Sequence, residues 1–141
     1  MISNNTLCLI TDFGVNNRFA GIVKGVAYGI DPRLKIFDIT HEIEPFNIKE
    51  AAYILSDTSK YWPGGTVFCV IIDPGVGSSR KSVAVITKKD QFIICPDNGL
   101  LTIVQKEIGI KEIRLVEETW FPGNRKSDAS INRISLIPIS F

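Results

Sequence analysis

The sequence predicts an α/β fold, a mostly parallel central sheet flanked by helices. Two observations carry this reading. Over the first part of the chain, short apolar runs rich in β-branched residues alternate with segments whose apolar residues recur at helical spacing. Each of the main runs also stops on polar turn residues, as strands do where they leave a sheet. The composition agrees: 141 residues, 45% of them hydrophobic and 22% charged, are enough to bury one core and too apolar for a disordered chain.

The first element is Leu7-Cys8-Leu9-Ile10-Thr11, whose lack of polar alternation fits a strand covered on both faces. It stops at Asp12-Phe13-Gly14. From Arg18 to Ile30, residues Phe19, Ile22, Val23, Val26 and Ile30 mark a helix with a buried face, ended by Asp31-Pro32, and Gly21, Gly25 and Gly29 read as places where helix and sheet pack closely. Lys35–Ile39 is a second strand. Asn47 with Glu50 resembles a capping box opening a helix over Ile48–Ser59. Thr66–Ile72 is a β-branched strand that runs into Asp73-Pro74-Gly75-Val76-Gly77. Ser82–Thr87 and Phe92–Cys95 are strands separated by the charged turn Lys88-Lys89-Asp90-Gln91, and a short helix (Leu100–Ile108) and a last strand (Glu112–Val116) follow. Residues 1–118 thus form the domain. Residues 119–141 differ in character, with turn residues Pro122-Gly123-Asn124, basic Arg125 and Lys126, and an apolar end from Ile134 to Phe141.

Charge and motif content exclude several functions. Sixteen Lys plus Arg against fifteen Asp plus Glu leave a net charge of +1, too little to draw a nucleic acid or an anionic membrane. No run approaches the roughly twenty apolar residues of a membrane span, and the first residues lack a secretory pattern, so a cytoplasmic protein is expected. Cys8, Cys69 and Cys95 are widely spaced among apolar neighbours and read as buried reduced thiols. His41 is the single histidine and reads as a hydrogen-bonded structural residue; no metal site is expected. A serine hydrolase is excluded because no Gly-x-Ser-x-Gly turn exists.

The polar residues Asp12, Thr40-His41, Asp73 and Asp97-Asn98 all lie just past strand C-termini, where open α/β sheets bind ligands. Asp12 reads equally as a turn aspartate or as an acceptor for the two hydroxyls of a ribose. Asp73 and Arg80 flank a glycine-rich loop that lacks the Lys-Ser/Thr ending of a phosphate-binding loop. They read either as an ion pair holding one water or as a plain surface pair. Phe46 is a core residue or an aromatic face for a cationic ligand. Asn98-Gly99 carries half a turn signal.

Taken in order, Thr11-Asp12-Phe13-Gly14, Gly21-x-x-Lys24-Gly25-Val26, Asp38-Ile39-Thr40-His41, Pro63-x-Gly65-Thr66-Val67, Asp73-Pro74-Gly75-Val76-Gly77 with Arg80, and Pro96-Asp97-Asn98-Gly99-Leu100 resemble the S-adenosyl-L-methionine (SAM) hydroxide adenosyltransferases, relatives of the adenosyl fluorinase and chlorinase. The resemblance implies hydrolysis of SAM to adenosine and methionine by attack of water or hydroxide at ribose C5′, with no cofactor. It assigns the nucleophile to Asp73 and Arg80 and the ribose hydroxyls to Asp12, with Phe13, Asn17, Phe46 and Asn98 around the substrate. Asn17 falls where the halogenases bind the methionine amino group with an acid. The resemblance further implies a homotrimer and a C-terminal β-barrel covering the adenine, which this sequence lacks. The family's Phe-His-Gly-Arg-Asp stretch has as its nearest counterpart Phe121-Pro122-Gly123-Asn124-Arg125, without the histidine. Residues 119–141 therefore read as the tail of a truncated or frameshifted product, and the alternative function is a non-catalytic remnant or a SAM- or nucleoside-binding subunit needing a partner domain.

Overall fold

The computed structural model describes residues 3–116 and 136–138. Strand β1 (Thr6–Thr11) leads through helix α1 (Phe19–Ile30) to β2 (Lys35–Thr40), and helix α2 (Ile48–Ser59) leads on to β3 (Val67–Ile71). Then come the β4 (Ser82–Thr87) and β5 (Phe92–Pro96) hairpin, helix α3 (Thr102–Glu107), β6 (Ile110–Val116) and the short β7 (Leu136–Pro138). One sheet of seven strands results, in the order β2-β1-β3-β5-β4-β6-β7.

The sheet is mixed rather than mostly parallel. The pairs β1–β2, β1–β3 and β3–β5 are parallel, whereas β4–β5, β4–β6 and β6–β7 are antiparallel. The reason is connection length. A parallel neighbour requires a crossover of a dozen or more residues, and the turn at Lys88–Gln91 is too short for one, so β5 folds straight back on β4. Of the predicted atypical tail, 119–141, only residues 136–138 are described; the rest, with the histidine-less counterpart stretch, lies outside the described residues.

The alternation of β3, β4 and β5 places Phe68, Val70, Val83, Val85, Ile93 and Cys95 on one face, where all are buried. Ala51, Ala52 and Leu55 of α2 and Val104 of α3 belong to the same core. α2 starts as its sequence predicts: Asn47 Oδ1 accepts from Glu50 N at 3.1 Å. The reciprocal half of the capping box is redirected, since the Glu50 carboxylate accepts from Glu44 N rather than from Asn47. β1, next to the middle of the sheet, has Cys8, Leu9, Ile10 and Thr11 all buried, as its unbroken apolar run predicts.

Helix α1 departs from expectation. It forms over the predicted residues, but none of them is buried, and Phe19, Ile22, Val26 and Ile30 are 43% to 64% exposed. Nor do its glycines pack closely, because a Cβ added at Gly21, Gly25 or Gly29 would meet nothing within 4 Å. Periodicity specifies the helix; coverage depends on what lies opposite. α1 joins β1 to the edge strand β2, whose Lys35, Phe37 and Asp38 are themselves exposed.

Candidate active site

The strand order sets where a ligand can bind. From β1 the chain moves to β2 on one side, then returns across β1 to β3 on the other, so the direction of winding reverses between β1 and β3. Beyond the C-terminal ends of two such strands the connections diverge and leave a crevice. Thr11 pairs with Ile71, which sets Asp12 and Asp73 just past this boundary on strands ~4.8 Å apart. The ends of β2, at Thr40-His41, and of β5, at Asp97-Asn98, flank them.

Asp12 is held by the loop that follows β2. Phe46 N donates to Asp12 Oδ2 at 2.8 Å, and Phe46 takes a left-handed φ of 65° to do so. A side chain there costs ~1–2 kcal/mol relative to ordinary backbone. The strain places Phe46, a residue 61% exposed, beside the carboxylate. Asp12, Phe13, Asn17, His41 and Pro45 line an open cleft of ≈ 550 Å³, within the size range of small-molecule sites. Asn17 Oδ1 accepts from Phe19 N at 3.0 Å and so opens α1, and Phe13 packs on Phe19 with ring centroids 5.8 Å apart.

Asp73 and Arg80 close on each other across their loop. Arg80 Nη1 donates to Asp73 Oδ1 at 2.7 Å, and Gly75 N donates to the same oxygen at 2.9 Å. Among the described residues no hydrogen bond reaches Oδ2, so one oxygen is anchored and the other faces outward. The pair is half-buried, with side chains 25% and 29% exposed. That is open enough to receive a water and covered enough to weaken screening.

Asn98 sits differently. It lines a separate cavity of ≈ 300 Å³ with Pro96, Leu100 and Gln105. Its Nδ2 donates to Ile72 O at 2.9 Å, directly before Asp73, so it fastens the end of β5 to the end of β3. The structure thus brings Asp12, Phe13, Asn17 and Phe46 into one cluster and Asp73 with Arg80 into a second at the same sheet edge, with Asn98 bracing the latter.

This geometry can be set beside known proteins. The model of the SAM hydroxide adenosyltransferase N-terminal domain matches residues 7–134. The chain belongs to the SAM hydroxide adenosyltransferase family. The chain is 43% identical over 123 residues to the "(R)-S-adenosyl-L-methionine hydrolase" of Methanocaldococcus jannaschii, covering 84% of this chain and 46% of that protein. It is 29% identical over 139 residues to the "Fluorinase" of Actinopolyspora mzabensis, covering 83% of this chain and 46% of that one. Among solved structures it is similar to an uncharacterized conserved protein from Thermotoga maritima, with a TM-score of 0.77 and 45% identity over 79% of this chain and 43% of that chain. The chain spans about half the length of the curated relatives it matches.

Within this adenosyltransferase-type domain, three site features escape sequence reasoning. The backbone N–H of Phe46, not only its ring, serves Asp12. Gly75 is required for contact, since a Cβ there would lie 2.5 Å from Arg80 Nη2. His41 joins Thr11 to Asp38, and Asp38 also pairs with Lys24 Nζ. Only the last left a readable signal, the Asp38-x-x-His41 spacing across a strand end.

Proposed function

We propose that this chain carries the ribose-binding and water-holding part of an enzyme that hydrolyses SAM to adenosine and methionine. A water held between Asp73 and Arg80 attacks ribose C5′. The C5′–S bond breaks, its electron pair leaves with sulfur as the neutral thioether of methionine, and the water's proton passes to the carboxylate and on to solvent. The sulfonium is already a good leaving group, so alignment and desolvation of one water are the main requirements, and the step needs no metal or other cofactor. Asp12 takes the ribose hydroxyls, Phe46 and Phe13 flank the sulfonium side, and Asn17 reaches the methionine end.

One observation carries this reading: Asp73 is anchored through Oδ1 by Gly75 and Arg80 at the winding reversal, beside Asp12. It also favours hydrolysis over halogenation. A carboxylate repels a halide by about 4 kcal/mol at ~4 Å and an effective dielectric near 20.

The open cleft beside Asp12 supports a second reading, a binding subunit whose site is completed by another polypeptide, with a homotrimer as the expected assembly. Incubation with SAM in oxygen-18 water separates the two. Labelled adenosine above an Asp73→Ala control supports the enzyme. Its absence, with adenosine still bound in calorimetry, leaves the binding subunit, and absence of both overturns the assignment.

A further inference from the structure

The ends of β1 and β2 are joined by polar contacts that the scheme above leaves unused. Thr11 is fully buried, and its Oγ1 lies 2.7 Å from His41 Nδ1 while accepting from Phe13 N at 3.3 Å. A threonine hydroxyl has one hydrogen to give. The amide of Phe13 takes one of the oxygen's two lone pairs, and the hydroxyl hydrogen and the second lone pair are left for Nδ1, so Thr11 engages the ring at Nδ1 in either tautomer. Nε2 is buried and stands 3.0 Å from Asp38 Oδ1, out of line for a hydrogen bond, and the Asp38 Oδ2 atom pairs with Lys24 of α1. The backbone of His41 acts on the same loop, because its carbonyl accepts from Gly14 N at 2.7 Å. The residues so held, Thr11, Phe13 and Gly14, bracket Asp12.

We infer that His41 is a positioning residue for Asp12. Its ring on Thr11 and its carbonyl on Gly14 fix the backbone on both sides of the carboxylate, and Asp38, paired with Lys24, stands against the ring's other nitrogen. This rests on the ribose-binding reading of Asp12. Two competing roles fit the surroundings less well. A metal ligand would have companions, and no group of three or more His, Cys, Asp or Glu residues able to hold an ion occurs among the described residues. A general base needs a free ring nitrogen facing the substrate, whereas Nδ1 is taken by Thr11 and Nε2 faces Asp38. Stability alone does not account for the pair either. A buried hydroxyl–imidazole contact replaced on both sides by apolar groups costs little, whereas losing one partner leaves the other unsatisfied.

The test uses adenosine binding by calorimetry together with amide hydrogen exchange. Thr11→Val and His41→Phe should each weaken adenosine by about tenfold, the equivalent of one lost buried hydrogen bond. Thr11→Ser and His41→Asn, whose side-chain oxygen can receive the Thr11 hydroxyl, should stay within about threefold of the parent. In the two disabled variants the Phe13 and Gly14 amides should exchange faster while Val70 and Val85 in the core keep their protection, which a general loss of stability would not produce. If Thr11→Val and His41→Phe bind as the parent does while Asp12→Asn binds weakly, the positioning role is overturned and the ribose reading stands. If Asp12→Asn binds as tightly as the parent, or the parent binds no adenosine, the ribose reading fails. Exchange at Phe13 and Gly14 then decides whether His41 positions the loop, and unchanged exchange overturns it.

Discussion

The Arg80 guanidinium occupies the space that a side chain on Gly75 would need: a Cβ built there lies 2.5 Å from Nη2 and 2.6 Å from Cζ. The obstructing group is the far end of a flexible side chain, so Gly75→Ala can be accommodated by moving the arginine off Asp73. The replacement should leave stability within ~1 kcal/mol, because the smaller unfolded-state entropy of alanine offsets a lost half-exposed ion pair. Adenosine formation should nevertheless fall by about one to two orders of magnitude, as expected when a group that orients the nucleophile is misplaced. Urea unfolding and labelled-adenosine assays on one preparation check both halves.

Phe46 offers the opposite combination. Its φ of 65° is strained for any residue with a Cβ, yet only its backbone N–H is needed by Asp12. Phe46→Gly should therefore raise stability by roughly 0.5–1 kcal/mol, the relief of strain less glycine's greater unfolded entropy. Loss of the ring should weaken SAM binding by several fold if it contacts the sulfonium, a contact worth ~0.5–2 kcal/mol. Thermal unfolding and SAM titration read the two effects separately.

Asp38 gives a signature in acid. Partial burial would raise its pKa, but the hydrogen bond from Lys24 and the close approach of His41 outweigh that and hold the carboxyl below the usual range. A carboxyl lowered by folding adds stability above its unfolded value, ~3.9, and loses it as pH falls through the lower folded value. The gap in urea midpoint between the parent and Asp38→Asn should be open near pH 6 and close toward about pH 3.

The thiols give one in alkali. Burial pushes Cys8 and Cys95 up to about 12 and Cys69 up to about 11. A raised pKa contributes stability that is complete below the unfolded value and lost as pH rises through the folded one. The protein should be destabilised progressively above ~pH 9, and a triple Cys→Ala variant should show a flatter decline. Cys8 and Cys95 are buried as the sequence predicts, whereas Cys69 is partly exposed, so a thiol reagent near neutral pH should label Cys69 first and the other two only at the rate at which the native protein opens.

The exposure of α1 predicts uneven mutational costs. Ile22→Ala, at a position 50% exposed, should cost under ~1 kcal/mol. Leu55→Ala in α2, with a fully buried side chain, should cost ~2–5 kcal/mol. Denaturant midpoints of the two variants give the comparison.

These contrasts mark how far sequence reasoning reaches. From β1 to β6 every helix and strand was readable from periodicity and turn residues, because the local chain sets both; β7 lies in the stretch read as an atypical tail. The direction of β5 was not, although the short turn at Lys88–Gln91 contained the answer. The burial of α1 was not, because coverage is a property of the assembled sheet edge. At the candidate site, Asp12 and Asp73 stood out in the sequence because polar residues gather just past strand ends, and Arg80 through the resemblance. The Phe46 N–H, the Gly75 contact and the Thr11–His41 bond could not, since each depends on loops meeting from distant parts of the sequence. Local bonds show that Asn17 opens a helix and Asn98 braces a strand end.

The strand order β3-β5-β4 has one more consequence. The chain leaves β3 at Ile71 and enters β4 at Ser82, but the slot between those strands belongs to β5, which comes later in the sequence. The segment with Asp73 at one end and Arg80 at the other is therefore an arch, and β5 is its keystone. The end of β5 is pinned to both feet, by Asn98 Nδ2 to Ile72 O and by Asp97 N to Lys81 O, each at 2.9 Å. Until β5 has inserted, the arch has no fixed span and the arginine no fixed distance from the carboxylate. Competence at this site is thus tied to completion of the sheet, and a chain arrested before that insertion carries both residues without the pair.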